Sequence, residues 1–170
     1  MRVGIIALGS TGDVLPFVGL GQALAEAGHV VTIAAHAGYE DPIRDASLTG
    51  VELPLNPRNA DSEVQARIRR GGIAALRAIT KSYAPHGQAI AEKVDDVAGQ
   101  CDVLLYSTLA WPSYCTAQAH GIPSFGLDLQ PMWPTGAFAP VMVPFSLGLA
   151  GNRFLARQGQ RMMVGAASPR

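Results

Sequence analysis

The chain has 170 residues, 48% of them hydrophobic, and its 13 basic residues balance its 13 acidic ones. This length suffices for a domain with a substantial core, and the charge balance excludes a strongly basic protein of the kind that binds nucleic acid. Two cysteines, Cys101 and Cys115, are too few for a disulfide scaffold and match no zinc-binding spacing, so we expect a cytoplasmic protein without a bound metal. The longest uncharged run, residues 129–152, contains four prolines, which argues against a transmembrane segment.

Strand and helix patterns alternate along the chain. Short apolar runs predict five strands, at residues 3–7, 30–34, 51–53, 102–106 and 123–127. Apolar residues at helical spacing predict a helix from about Pro16 to Gly28 and further helices at 73–83, 88–97, 112–121 and 147–164. A capping-box spacing at 62–65 predicts the start of one more helical segment. Because such alternation produces parallel strands with right-handed crossovers, we expect a doubly wound α/β sheet of strand order 3-2-1-4-5. Its functional residues should lie in the loops at the carboxyl edge.

The first of these loops, GSTGD at residues 9–13, is rich in glycine but lacks a phosphate-binding pattern. It has neither the third glycine of the GxGxxG fingerprint nor the lysine of a P-loop, and Asp13 would repel a phosphate. A dinucleotide-binding oxidoreductase domain therefore fits the predicted fold but not the loop. Asp13 could cap the following helix or act as a general base toward a substrate hydroxyl, and the residues alone leave both roles open.

Two blocks of sequence resemble one family. GSTGDVLPFVGLGQALAEAGHVVTIAAH, residues 9–36, resembles the opening of GT-B-fold glycosyltransferases, in particular the branch that glycosylates antibiotics and sterols and carries a GS-x-GD-x-x-P signature. AQAHGIPSFGLDLQPMWPTGAFAP, residues 117–140, resembles the same branch. The resemblance implies that residues 1–170 form the amino-terminal, acceptor-binding half of such an enzyme, and that the donor-binding domain lies outside them.

The resemblance also implies a mechanism. Asp13 matches the proposed base of the motif, and the sugar would move with inversion and without a metal from a UDP- or TDP-linked co-substrate, with no further cofactor. Ser10 matches the serine that lines the reaction centre. Thr11 stands where an arginine is frequent, so any contact made by that arginine is in doubt.

We expect the acceptor to be a small molecule that contacts the first loop and the loops after strands two and five, at Ser10, Thr11, Gly12, His36, Gln130, Met132, Trp133 and Phe138. Aromatic and apolar side chains with a few polar groups suit an apolar acceptor. The aromatic residues of the last loop could instead pack beneath its prolines, and His36 could be a solvated loop histidine.

The sequence thus favours the acceptor-binding half of a glycosyltransferase that acts on a natural-product or sterol-like hydroxyl, in a chain that is inactive alone. The alternative is a non-catalytic binding module or one subunit of a split glycosyltransferase.

Overall fold

A computed structural model describes residues 1–55, 62, 64–66, 72–130, 132–140, 143 and 145–167. A single sheet is built from five strands: β1 (Arg2–Ala7), β2 (Val30–His36), β3 (Thr49–Leu53), β4 (Val103–Ser107) and β5 (Ser124–Leu127). Its order is β3-β2-β1-β4-β5, and every neighbouring pair is parallel. The predicted doubly wound α/β fold and its strand order are therefore confirmed.

The helices connect and follow these strands. They are α1 (Thr11–Glu26), α2 (Glu40–Asp45), α3 (Gly72–Tyr83), α4 (Gly87–Ala98), α5 (Ser113–Ala119) and α6 (Gly148–Ala167), with 3₁₀ turns at Ala84–His86 and Thr108–Ala110. Residues 62 and 64–66 are also helical, whereas the rest of the predicted capping region at 56–71 lies outside the described residues. No helix within the described ranges is both long enough and apolar enough to span a bilayer.

One predicted helix start was wrong, and one short helix was missed. Helix α1 begins at Thr11 rather than near Pro16, because Ser10 and Asp13 form its amino-terminal cap and Pro16 lies inside the helix. Helix α2 was not predicted at all, since its six residues, EDPIRD, are too short to show a helical period and contain a proline.

Helices cover both faces of the sheet, and the alternation of β1 shows how. Val3, Ile5 and Ala7 face the cluster that contains Phe17 of α1. Ile6 belongs to the cluster on the opposite face, which is formed with α4 and α5. A strand buried on both sides must be apolar at every position, which explains the continuous apolar runs in the sequence.

Contacts divide the chain into two compact units. Residues 1–61 and 80–129 form the sheet unit, and residues 62–79 and 130–170 form the second unit. Within the second unit the buried Asn152 amide donates to the Gly136 carbonyl at 3.2 Å and to Ser146 Oγ at 2.9 Å, and its oxygen accepts from the Leu147 N–H at 2.9 Å. These hydrogen bonds attach the start of α6 to the loop that precedes it.

Helix α1 packs closely against Leu48 at position 21, where the sequence has a glycine. A Cβ added there would lie 2.8 Å from Leu48 Cδ1 and 3.4 Å from both Ile5 Cδ1 and Val31 Cγ1, whereas a Cβ added at Gly19 would meet nothing within 4 Å. We expect Gly21→Val to lower the free energy of unfolding by about 1–3 kcal/mol more than Gly19→Val, because overpacking adds to the same helix-propensity change. Urea denaturation of the two variants measures this difference, and equal losses would contradict the packing described.

Candidate functional site

The loop from Gly9 to Asp13 lies at the carboxyl edge of the sheet, between β1 and α1. Ser10 is the N-cap of α1, and Asp13 is the third residue of that helix. The backbone N–H and the hydroxyl of Ser10 both donate to Asp13 Oδ2 at 2.8 Å, whereas none of the described residues donates to Oδ1. The two roles considered for Asp13 are therefore compatible, since one oxygen completes the cap and the other is left for a ligand.

Gly9 is required by this arrangement. Its φ of 137° is one that side-chain-bearing residues rarely adopt, and a Cβ added there would lie 2.5–2.7 Å from the Asp13 side chain. The Asp13 side chain thus fills the space above Gly9, which is where a dinucleotide-binding loop lets a pyrophosphate approach its backbone.

Ser107, the last residue of β4, holds the end of β1 in place from the neighbouring strand. Its buried hydroxyl accepts from the Leu8 N–H at 3.0 Å and donates to the Leu8 carbonyl at 3.1 Å. Sequence reasoning missed this residue. Its only signal was a serine directly after an apolar strand at the functional edge.

Two tyrosines complete the site, and the sequence analysis assigned a role to neither. Tyr39, which precedes α2, places its hydroxyl 3.2 Å from Thr11 Oγ1. Tyr83, the last residue of α3, places its hydroxyl 3.1 Å from His36 Nε2, and the two rings meet edge to face. Tyr39 and His36 are each only 2% exposed.

His36 is not the solvated loop histidine that the sequence allowed, because it ends β2 and is buried. Burial lowers the pKa of His36 to about 4, against a smaller opposing effect of the Leu55 backbone. Nδ1 of the ring has no hydrogen-bond partner among the described residues. The ring is therefore neutral at physiological pH, and Tyr83 is its bonded neighbour at Nε2.

Tyr83 is also neutral. Burial raises the pKa of Tyr83, and the charge of Asp13 raises it further, followed by a smaller effect of Tyr39. The sheet unit thus contains two hydrogen-bonded pairs, Thr11 with Tyr39 and His36 with Tyr83. We call these four residues together with Asp13 the edge cluster.

The remaining predicted contacts lie in the second unit. Trp133 is 72% exposed and Phe138 is 44% exposed, whereas Met132 is half-buried and Gln130 is exposed. The alternative in which the aromatic residues only pack beneath the proline-rich loop does not account for these two exposed side chains.

Solved structures and curated relatives resemble this chain. The glycosyltransferase SsfS6 of Streptomyces sp. SF2575 superposes with a TM-score of 0.56 at 22% identity, over 75% of this chain and 39% of that one. The same enzyme has also been solved with thymidine diphosphate. CalG4, the calicheamicin glycosyltransferase, gives 0.54 at 18% identity, over 82% and 34%. At these identities the likeness establishes the fold, which is that of the GT-B glycosyltransferases.

The curated relatives are more similar in sequence. The sterol 3-beta-glucosyltransferase of Candida albicans is 27% identical over 137 residues, which are 81% of this chain and 9% of the relative. The O-mycaminosyltylonolide 6-deoxyallosyltransferase of Streptomyces fradiae is 29% identical over 118 residues, or 64% and 27%. This chain therefore spans about a tenth to a quarter of the length of these two relatives.

The model of the glycosyltransferase family 28 N-terminal domain matches residues 3–99, which include β1, the Gly9–Asp13 loop and the segment through α4. The chain belongs to this family, and the resemblance found in the sequence is confirmed.

The loop geometry predicts a strict need for glycine at position 9. We expect Gly9→Ala to lower the free energy of unfolding by about 1–3 kcal/mol, because alanine is strained at this φ and its methyl group would displace Asp13. Gly12→Ala is the matched control, since a Cβ there would lie 3.9 Å from its nearest neighbour, Ser10 Oγ. Chemical denaturation of both variants decides the matter, and a Gly9→Ala protein as stable as Gly12→Ala would refute the geometry.

The buried histidine predicts a pH dependence of stability. As the pH falls from 6.5 to about 4, the unfolded chain takes up a proton at His36 that the folded chain excludes, so the free energy of unfolding falls by up to about 3 kcal/mol. His36→Gln should remove this part of the pH dependence, whereas His86→Gln, outside the edge cluster, should retain it. Urea denaturation at pH 7 and pH 4 provides the comparison, and an unchanged dependence in His36→Gln would contradict the buried neutral ring.

Proposed function

We propose that this domain binds the acceptor in an inverting, metal-independent transfer of a sugar from a nucleotide-sugar to a hydroxyl group. Asp13 is the general base, and Ser10, Thr11 and Gly12 line the acceptor side of the reaction centre. The observation that carries the proposal is the Asp13 carboxylate, which is anchored through one oxygen at the functional edge of a family 28 domain.

The anchoring suits general-base catalysis. A base must be held within hydrogen-bond reach of the proton that it removes, and the two bonds from Ser10 hold Oδ2 while none of the described residues donates to Oδ1. The substrate hydroxyl would donate its proton to Oδ1, and its oxygen would attack the anomeric carbon as the nucleotide diphosphate leaves. Displacement from the face opposite the leaving group inverts that carbon.

Helix α1 presents its positive end to the same carboxylate, and this stabilises its charge. The ring of His36 is neutral, so this residue of the edge cluster supplies no additional positive charge. Closure of the site around a bound acceptor would remove water from Asp13 and strengthen its attraction for the acceptor proton.

The substrates are proposed from chemistry and from the relatives. Exposed Trp133 and Phe138 with half-buried Met132 suit an apolar acceptor, and Gln130 adds a polar contact. The relatives named above are a sterol glucosyltransferase and a sugar transferase named for the compound O-mycaminosyltylonolide. A natural-product or sterol-like acceptor follows, and a thymidine- or uridine-diphosphate sugar is the donor, in keeping with the thymidine diphosphate bound to SsfS6. We place the donor site in a separate carboxy-terminal domain.

Replacing the base tests this function. In the full-length protein, Asp13→Asn should lower turnover with a nucleotide-sugar donor by about 10²–10⁴-fold, because the amide cannot accept the acceptor proton. Asp45→Asn, an exposed site at the end of α2, is the matched control and should retain activity. Near-normal turnover by a folded Asp13→Asn protein would overturn the assignment of the base. Wild-type protein that transfers no sugar from either donor would favour a non-catalytic binding module.

A further inference from the structure

The charge of the chain changes abruptly after Asp128. Residues 129–170 contain four arginines and no aspartate, glutamate, lysine or histidine. The overall charge of zero therefore conceals a basic segment in the second unit, and three of its arginines, Arg153, Arg157 and Arg161, lie on α6.

These three arginines form a stripe along the helix. Residues four apart lie one above the other on a helix surface, and Arg153, Arg157 and Arg161 repeat at this spacing and are all exposed. None of the described acidic residues forms an ion pair with them. Mutual repulsion along the stripe is thus uncompensated within the described part of the chain.

Large apolar side chains flank the stripe on both sides. At 100° per residue, Leu149 precedes Arg153 by 40° around the helix, and Phe154 lies 20° beyond Arg161. Leu149 is 72% exposed and Phe154 is 60% exposed. We call these five residues the arginine face.

The opposite side of α6 is the one that packs within the second unit. Asn152 is 1% exposed and bonded to Gly136, while Leu155 is half-buried. The helix therefore has one packed side and one exposed side, on which apolar side chains flank a row of arginines.

We propose that the arginine face docks on an anionic lipid surface. Guanidinium groups pair with lipid phosphates, while leucine and phenylalanine enter the boundary between head groups and acyl chains, so a bilayer satisfies both features at once. A nucleic acid would satisfy the charges but leave the apolar groups in water. A second copy would bring like charges together.

Vesicle binding tests the proposal without any sugar transfer, so its outcome is independent of the function proposed above. The full chain should sediment with vesicles of phosphatidylcholine mixed with phosphatidylglycerol but not with vesicles of phosphatidylcholine alone, and added salt should weaken binding. Each arginine contributes about fivefold, so Arg153→Gln combined with Arg157→Gln should weaken partitioning by about 25-fold.

Two further variants sharpen the test. Leu149→Ser combined with Phe154→Ser should reduce the binding that persists at high salt. Arg44→Gln, an exposed arginine on α2, is the matched control and should bind as wild type does. Circular dichroism verifies that every variant is folded.

Four results would overturn the proposal: equal binding to neutral and anionic vesicles, no loss in the double arginine variant, tighter binding to a DNA oligonucleotide than to anionic vesicles, or a dimer that dissociates when Leu149 and Phe154 are replaced. The dimer would identify a second copy as the occupant of the face.

Discussion

The two hydrogen bonds from Ser10 to one oxygen of Asp13 are the interaction on which the candidate site depends. Both come from Ser10, the N-cap of α1, one from its backbone N–H and one from its hydroxyl, so the position of the carboxylate is tied to the start of the helix. The same bonds draw the Asp13 side chain over Gly9 and make glycine obligatory there. They also explain how an acid can cap a helix and still present an oxygen to a substrate.

The position of this loop depends on the strands next to it. The Ser107 hydroxyl pairs with both backbone groups of Leu8, which joins β4 to the last residue before the loop. At Gly21, α1 packs so closely that a Cβ would lie 2.8 Å from Leu48 Cδ1. The packing of the sheet unit therefore helps to fix the position of the Gly9–Asp13 loop, because this loop connects the central strand β1 to the packed helix α1.

The edge cluster adds hydroxyl groups and a neutral ring to the sheet unit that holds Asp13. The hydroxyls of Thr11 and Tyr39 pair with each other, and the Tyr83 hydroxyl pairs with the ring of His36, whose pKa burial lowers to about 4. Hydroxyl groups can exchange hydrogen bonds with an incoming substrate without neutralising the acid.

The strand order and the position of the glycine-rich loop after β1 could be predicted from the sequence alone, and the sequence also singles out Asp13 as a candidate. Strands buried on both faces require unbroken apolar runs, which can be recognised in the sequence. The glycine-rich loop and its acid form one contiguous motif, GSTGD, which can be recognised in the same way. The folded structure was needed to show the hydrogen-bond partners of Ser107, Tyr39 and Tyr83 and the burial of His36. Ser107 bonds to a residue 99 positions away and Tyr83 to one 47 positions away. The local hydrophobic pattern of a sequence cannot predict contacts at such separations along the chain. These hydrogen bonds form because tertiary packing brings remote segments together.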